Sequence, residues 1–277
     1  MKLIDGKKIA ERLRADIAKE VKGFSRPPGL AVILIGHDPA SEVYVKNKTK
    51  ACVEVGFYSD QLHKSENITQ DELISEIHRL NEHKTIDGIL VQLPLPKHID
   101  ENAVIEAIIP EKDVDGFSSE NIGKLMQNKP FIRPCTPSGV MTMLKSIDYD
   151  VKGKDCVIIG ASNIVGRPMA MELLNAGATV TVCHSSTKNT AEKTRDADVI
   201  IAAAGVANLV KGDWVRDGSV IIDVGINRLE NGKLTGDVDF EAVKDRVHAI
   251  SPVPGGVGPM TIATLLENTV TAYKARL

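Results

Sequence analysis

The sequence predicts an α/β fold with mainly parallel strands, arranged in two domains. Short apolar runs of strand length alternate with segments of helical spacing along nearly the whole chain. A glycine-rich turn, GASNIVGRP at 160–168, directly follows one apolar run and opens a helical segment. The polar, irregular stretch 117–135 separates the halves as a linker or inter-domain loop would. The two domains are expected to meet near residues 115–140, with a ligand cleft between them.

The elements follow in order. MKLIDGKKIAERLRADIAKE, at the start, alternates charged and apolar residues like an amphipathic helix. LAVILIG (30–36) reads as a buried strand. Asp38 and Pro39 are of the types found at a helix N-cap and first turn, and SEVYVKNKTKACVEVG (41–56) continues that helix. A short strand near 57–62, a helix over 71–84, a strand over 86–96 ending in prolines and a helix over 101–109 lead to the turn-rich DVDGF. Thr136 and Pro137 suit the cap and first position of a helix over 136–147. Strands are then expected at 155–160, 178–183, 198–205, 219–225 and 247–252, with a terminal helix over 259–277.

Composition narrows the function classes. With 277 residues, 43% hydrophobic and 26% charged, the balance is that of a soluble chain. A net charge of −3 does not indicate a nucleic-acid or acidic-membrane surface. No apolar run approaches the roughly 20 residues of a membrane span, and the N-terminus lacks a signal-peptide core. Cys52, Cys135, Cys156 and Cys183 form no Cys-x-x-Cys pair, which suggests reduced, buried thiols in a cytoplasmic protein. No metal-ligand cluster is evident, and no metal is expected.

Two stretches carry chemistry. On the helix through 41–56, Tyr44, Ala51, Cys52 and Val55 share one apolar face, and Lys48 lies on it one turn after Tyr44. A lysine in such a stripe usually snorkels, with its stem buried and its amine in water. If the face meets a ligand instead, desolvation favours the neutral amine, which accepts a proton. In the glycine turn, Gly160 permits a tight bend and Gly166 a close helix approach, while the helix N-terminus suits a pyrophosphate. The following strand, ATVTVC, ends in His184, Ser185 and Ser186, without the carboxylate that would hold the ribose hydroxyls of NAD. That absence leans towards NADP, with Arg167 as a candidate partner for its 2′-phosphate or, equally, a solvated first-turn side chain.

SEVYVKNK (41–48), VQLPLP (91–96), DVDG (113–116), RPCTP (133–137), GASNIVGRP (160–168) and PVPGGVGPMT (252–261), in that order, resemble the bifunctional methylenetetrahydrofolate dehydrogenase/cyclohydrolase family over the full chain. The resemblance implies oxidation of 5,10-methylenetetrahydrofolate by NADP, hydrolysis of the methenyl product to 10-formyltetrahydrofolate, and a place in one-carbon supply for purine biosynthesis. It implies an N-terminal catalytic α/β domain over 1–120, completed by a C-terminal helix over 260–277, and a Rossmann-type cofactor domain over 136–259. A homodimer through the cofactor domain is expected.

By the same resemblance Tyr44, Lys48, Gln92 and Asp115 line the folate site, with Lys48, Gln92 and Tyr44 as catalytic residues. Lys48 is the expected general base, with a proton-relay role in ring opening equally compatible, and Gln92 is its expected hydrogen-bond partner or else an amide satisfied by backbone. Asp115 offers a two-oxygen acceptor to the pterin N–H groups; otherwise Asp113 and Asp115 only build a turn with Gly116. Pro254, Gly255 and Gly256 are expected in a loop that positions the substrate. Gly160, Ala161, Ser162, Ile164, Gly166, Arg167, Pro168, His184, Ser185 and Ile226 make up the expected cofactor set. Asp223 is expected to be structural. Two departures weaken the NADP preference. Ser185 and Ala161 stand where relatives carry a basic residue. The competing expectations are another two-domain dehydrogenase, of the shikimate or amino-acid type, and a dinucleotide sensor without turnover.

Overall fold

The computed structural model describes residues 1–277, which divide into two compact units. In chain order the elements of the first half are β1 (Lys2–Leu3), α1 (Gly6–Val21), β2 (Gly29–Ile35), α2 (Pro39–Val55), β3 (Tyr58–Lys64), α3 (Gln70–Glu82), β4 (Gly88–Val91), α4 (Glu101–Glu106) and α5 (Ser119–Met126). The second half holds α6 (Cys135–Ser146), β5 (Asp155–Ile159), α7 (Gly166–Asn175), β6 (Thr179–Cys183), α8 (Thr190–Thr194), β7 (Val199–Ala202) and β8 (Val220–Asp223). It ends with β9 (Asn227–Arg228), β10 (Leu234–Thr235), α9 (Phe240–Val243), β11 (Ala249–Ile250) and α10 (Val257–Lys274).

One unit comprises Glu11–Cys135 and Ile262–Leu277. Its sheet has the order β3-β2-β4, all parallel. Every residue of β2 is buried, which is why it reads as a continuous apolar run rather than an alternating one. Ala31, Ile33 and Ile35 pack with Leu73, Ile77 and Leu80 of α3 on one face. Leu30, Val32 and Leu34 pack with Val45, Cys52 and Val55 of α2, and with Leu265, Leu266 and Val270 of α10, on the other. The last helix is therefore part of this core.

A charged clamp secures that helix. Asp87, fully buried at the entry to β4, accepts two hydrogen bonds from Arg26 at 2.6 and 2.8 Å and one from Arg276 at 3.1 Å. It also accepts the Gly29 N–H at 2.9 Å. Arg26 lies over the Tyr273 ring, 4.8 Å from its centre. Lys112 is buried too, and its ammonium donates to the carbonyls of Leu80, Asn81 and His83, closing the C-terminus of α3.

The other unit comprises Met1–Ala10 and Thr136–Thr261. Six of its strands form a parallel sheet in the order β1-β11-β8-β7-β5-β6, and β9 and β10 pair antiparallel apart from it. Val157, Ile159, Ile200, Ala202, Ile221 and Ile250 belong to one of its buried clusters. From β5 the chain goes to β6 on one side and returns to β7 on the other, so the topology switches beside the end of β5, where open α/β sheets bind ligands.

Several expectations need correction. The first residues belong to the six-stranded unit, because Lys2 and Leu3 pair with Ala249 and Ile250. The strand expected over 86–96 ends at Val91; Pro94 and Pro96 have no N–H to continue a ladder. The stretch 117–135 contains α5, capped by Ser118 and anchored by buried Asn121 and Leu125, an apolar face too short to stand out as a period. Helix α6 begins at Cys135, so Thr136 lies inside its first turn and hydrogen-bonds Thr261 at 2.9 Å.

Asp87→Ala would leave two arginines and a buried N–H without their acceptor. A loss of about 3–5 kcal/mol is expected, measured by urea unfolding followed by far-UV circular dichroism. Glu54→Ala, which removes the exposed partner of Arg14, should cost less than about 1 kcal/mol in the same assay.

Candidate active site

Helix α2 is built by local signals. Asp38 caps it by accepting the Ser41 N–H at 2.8 Å, and Pro39 opens it. Gly56 ends it at φ 83°, donating to the Cys52 and Val53 carbonyls. Its buried face is Ser41, Val45, Lys48, Ala51, Cys52 and Val55, with Tyr44 half-buried one turn before Lys48. Burial raises the Tyr44 phenol above its ordinary pKa.

Lys48 does not snorkel, because its side chain is 7% exposed. Its ammonium donates to Gln92 Oε1 at 3.0 Å. Gln92 Nε2 in turn donates to the Leu93 carbonyl at 2.7 Å, which fixes the orientation of the amide. Gln92 itself is placed by β2, since its N–H donates to the Ile33 carbonyl at 2.9 Å. The parallel pairing of β2 and β4 thus brings Gln92 to the helix that follows β2.

The DVDG turn separates its two carboxylates by role. Asp113 is buried and accepts the N–H groups of Gly116 at 3.0 Å and Ser118 at 2.8 Å, and the Asn121 amide at 3.0 Å. It builds the turn. Gly116 sits at φ 77°, where a Cβ would approach the Arg133 carbonyl carbon to 2.8 Å, so both the conformation and the space require glycine. The side-chain hydrogen bonds that build this turn all go to Asp113 rather than Asp115. Burial raises its pKa, while the positive charge of Lys48 and a hydrogen bond from Cys135 pull it back down. Asn268 of α10 donates to the Val114 and Arg133 carbonyls at 2.9 and 2.8 Å, holding both sides of this turn in place.

In the six-stranded unit the parallel strands all end on one edge. Gly160 follows β5 at φ 128°, and a Cβ there would meet the Ala203 carbonyl oxygen at 2.0 Å. A Cβ on Gly166 would meet the Gly160 carbonyl oxygen at the same distance. The two glycines let the turn, the end of β7 and the start of α7 pack backbone against backbone, a cradle a phosphate group fits. Ser162 and Ile164 are exposed in this turn, Ala161 is half-buried, and Pro168 is buried inside α7. Arg167 is exposed, and its Nε donates to the Ala161 carbonyl at 3.2 Å. His184 and Ser185 are exposed directly after β6, with no carboxylate beside them, and Ile226 is exposed after β8. In the loop before α10, Pro254 is exposed and Gly255 half-buried. Gly256 lies so close to the backbone of Gly6 that a Cβ on Gly6 would strike its carbonyl oxygen at 1.9 Å.

The structure adds residues the sequence reading missed. Asp237 is fully buried and accepts the N–H groups of Ala204 at 2.6 Å and Gly205 at 2.8 Å, and the Asn227 amide at 2.9 Å. It ties the loop after β7 to the start of β9. Asp223, ending β8, accepts the N–H groups of Gly225, Asp237 and Val238. Burial pushes Asp223 up to about 7 against the pull of those donors. Its expected structural role fits these bonds. The fold also brings together His37, Glu42 and His63, which are not neighbours in the sequence.

This arrangement defines a dinucleotide-binding α/β protein with a second unit built around a buried lysine. Family models place it further: the tetrahydrofolate dehydrogenase/cyclohydrolase catalytic domain matches residues 4–115, and the NAD(P)-binding domain of the same family matches residues 134–277. The chain belongs to the tetrahydrofolate dehydrogenase/cyclohydrolase family. It is 63% identical over 277 residues, the whole of both chains, to the bifunctional protein FolD of Vesicomyosocius okutanii subsp. Calyptogena okutanii. The FolD methylenetetrahydrofolate dehydrogenase/cyclohydrolase crystal structure from Campylobacter jejuni is 54% identical, with a TM-score of 0.98 over 100% of both chains. The Trypanosoma brucei enzyme, in complex with NADP and an inhibitor, is 40% identical, with a TM-score of 0.95 over 99% of this chain and 97% of that one. Shikimate dehydrogenase from Aquifex aeolicus, at 17% identity and a TM-score of 0.55, shares the fold alone.

Asp237→Ala should release the 204–205 loop. Three hydrogen bonds to a charged group are lost, and the two from this loop alone predict a destabilisation of about 3–6 kcal/mol, read from the unfolding midpoint reported by Trp214 fluorescence in the same unit.

Proposed function

We propose that this chain oxidises 5,10-methylenetetrahydrofolate with NADP and hydrolyses the resulting 5,10-methenyl cation to 10-formyltetrahydrofolate. The observation that carries this reading is the buried Lys48–Gln92 pair beside the desolvated carboxylate of Asp115. Family membership over both units supports it. The working assembly is a homodimer through the cofactor unit. Four unpaired, buried cysteines suit a cytoplasmic setting, and no helix is long and apolar enough to cross a membrane.

The glycine turn and the start of α7 would hold the pyrophosphate, with Gly160, Ala161, Ser162, Ile164, Gly166 and Pro168 shaping that site. Arg167, His184 and Ser185 would face the adenosine phosphate, and Ile226 the nicotinamide end. Bound there, NADP supplies the hydride acceptor. The donor carbon lies between two nitrogens, so hydride loss leaves a delocalised cation and needs no base. Positioning by Pro254, Gly255 and Gly256, with Tyr44 against the aminobenzoyl ring and Asp115 on the pterin N–H groups, is what the chain contributes to that step.

Hydrolysis does need a base. The Lys48 ammonium first releases a proton to solvent; water then adds to the methenyl carbon and gives a proton to the neutral Lys48 amine, which Gln92 holds in line. The carbon–N5 bond then breaks, N5 takes a proton, and the formyl group stays on N10. Overall, one water enters and one proton leaves.

An absorbance assay that follows NADPH and the methenyl cation separately, run with both NAD and NADP, tests the reading. No NADPH formation from methylenetetrahydrofolate would sink it. In Lys48→Met, hydrolysis should fall by about 10²–10⁴-fold while hydride transfer survives in part and methenyl-folate accumulates. Asp115 must be ionised to accept N–H groups, and its raised pKa means it protonates earlier than an ordinary carboxylate as pH falls. Folate affinity should therefore decline on acidification starting above the usual carboxylate range of about 4. Asp115→Asn should bind roughly ten- to a hundredfold more weakly and show no such decline. A parent-like pH profile in that variant would remove Asp115 from the pterin contact.

A further inference from the structure

We propose that His37, Glu42 and His63 form a binding site for one divalent transition-metal ion of the zinc class, separate from the folate and nucleotide residues. The three side chains come from neighbouring elements of one unit. His37 lies in the turn after β2, Glu42 in the first turn of α2, and His63 on β3. Strands β2 and β3 pair in parallel with Leu34 opposite His63, which sets the His63 ring beside the turn that carries His37. One ring nitrogen from each histidine and a carboxylate oxygen of Glu42 lie within 4.8 Å of one another.

The pair geometry already approaches a chelate. His37 Nδ1 donates to Glu42 Oε1 at 3.1 Å, and a metal ion would take the place of that shared proton, releasing it to solvent. Two donors bound tetrahedrally at roughly 2.0–2.1 Å from zinc stand about 3.3 Å apart. The His63 ring is oriented independently, its Nε2 lying 2.6 Å from the Gly36 carbonyl oxygen. A carbonyl only accepts, so Nε2 carries a proton, which leaves Nδ1 as the ring nitrogen available to a metal. A backbone carbonyl that holds the far N–H of an imidazole is the usual support for a metal-binding histidine. The two rings meet edge to face, with centres 4.6 Å apart and planes 69° apart, rather than stacking their faces. All three side chains are exposed, so an ion reaches them from solvent.

The donor set selects the metal class. Two imidazoles and one carboxylate, with a fourth position left for water, suit zinc, cobalt or nickel; calcium and magnesium prefer all-oxygen sites. The bound ion would join β3 to the first turn of α2, the helix that carries Tyr44 and Lys48 further along. Its effect is to tether the start of that helix. The inference rests on this geometry and stands apart from the folate reading.

The test uses untagged, full-length protein freed of metal and titrated with Zn²⁺ by calorimetry, with Co²⁺ as a spectroscopic substitute. One ion per chain is expected, with visible cobalt bands of tetrahedral character and a higher unfolding midpoint in zinc. His37→Ala and His63→Ala should each weaken binding by at least about tenfold. His78→Ala, a change to an exposed histidine on α3, should bind like the parent. The proposal is overturned if the parent shows no saturable binding at one equivalent. It is also overturned if the His37→Ala/His63→Ala double variant still binds one ion, or if His78→Ala loses it.

Discussion

A lysine ammonium held 3.0 Å from the carbonyl oxygen of Gln92, inside an otherwise apolar face, is the constraint around which the folate-side unit is arranged. A buried charge needs partners. Here they are an amide, already oriented by a backbone carbonyl, and the opposite charge of Asp115. Every nearby element serves to keep these groups in place. The capped ends of α2 set the rotation of Lys48, the β2–β4 register sets Gln92, and Asp113 holds the turn that carries Asp115. α10 then closes the core from the far end of the chain and brings Asn268 onto the Val114 and Arg133 carbonyls.

The six-stranded unit solves a different problem with the same means. Its ligand edge is made of loops, and loops move unless their backbone groups are satisfied. Asp237 and Asp223 supply that order from beneath, each accepting backbone N–H groups of the loops that follow β7 and β8. Space is equally controlled. A Cβ on Gly225 would meet Asp237 Oδ1 at 2.0 Å, and one on Gly236 would meet Asp223 Oδ2 at 1.8 Å. The two carboxylates therefore leave room for glycine only, and the glycines in turn let the loops wrap the carboxylates. Buried polar groups organise both units, around Lys48 in one and around Asp223 and Asp237 in the other.

Much of this was legible in the residues. Asp38-Pro39 and Gly56 bound α2 through contacts of a few residues, so its span and its face could be read directly. The continuous apolar run of β2 and the glycine turn after β5 are likewise local, and DVDG reads as a turn from its own residue types. Reading failed where a signal was short or shared. Helix α5 has too few apolar positions to show a period. β1 is two residues long and becomes a strand only because Ala249 and Ile250 offer it an edge.

What the sequence by itself determined is the alternation of elements, the caps and turns, the two candidate chemistries and, through six motifs in order, the family. What only the tertiary structure decided is which distant groups meet. Lys48 and Gln92 are 44 residues apart, Asp237 and Ala204 are 33 apart, and Arg276 is 189 from Asp87. His63 reaches Gly36 across 27 residues because two parallel strands share a register. The physical reason is one of range. Helical turns, caps and tight bends are set by neighbours within about four residues. A buried polar contact depends on strand register and packing, which no single stretch of chain contains.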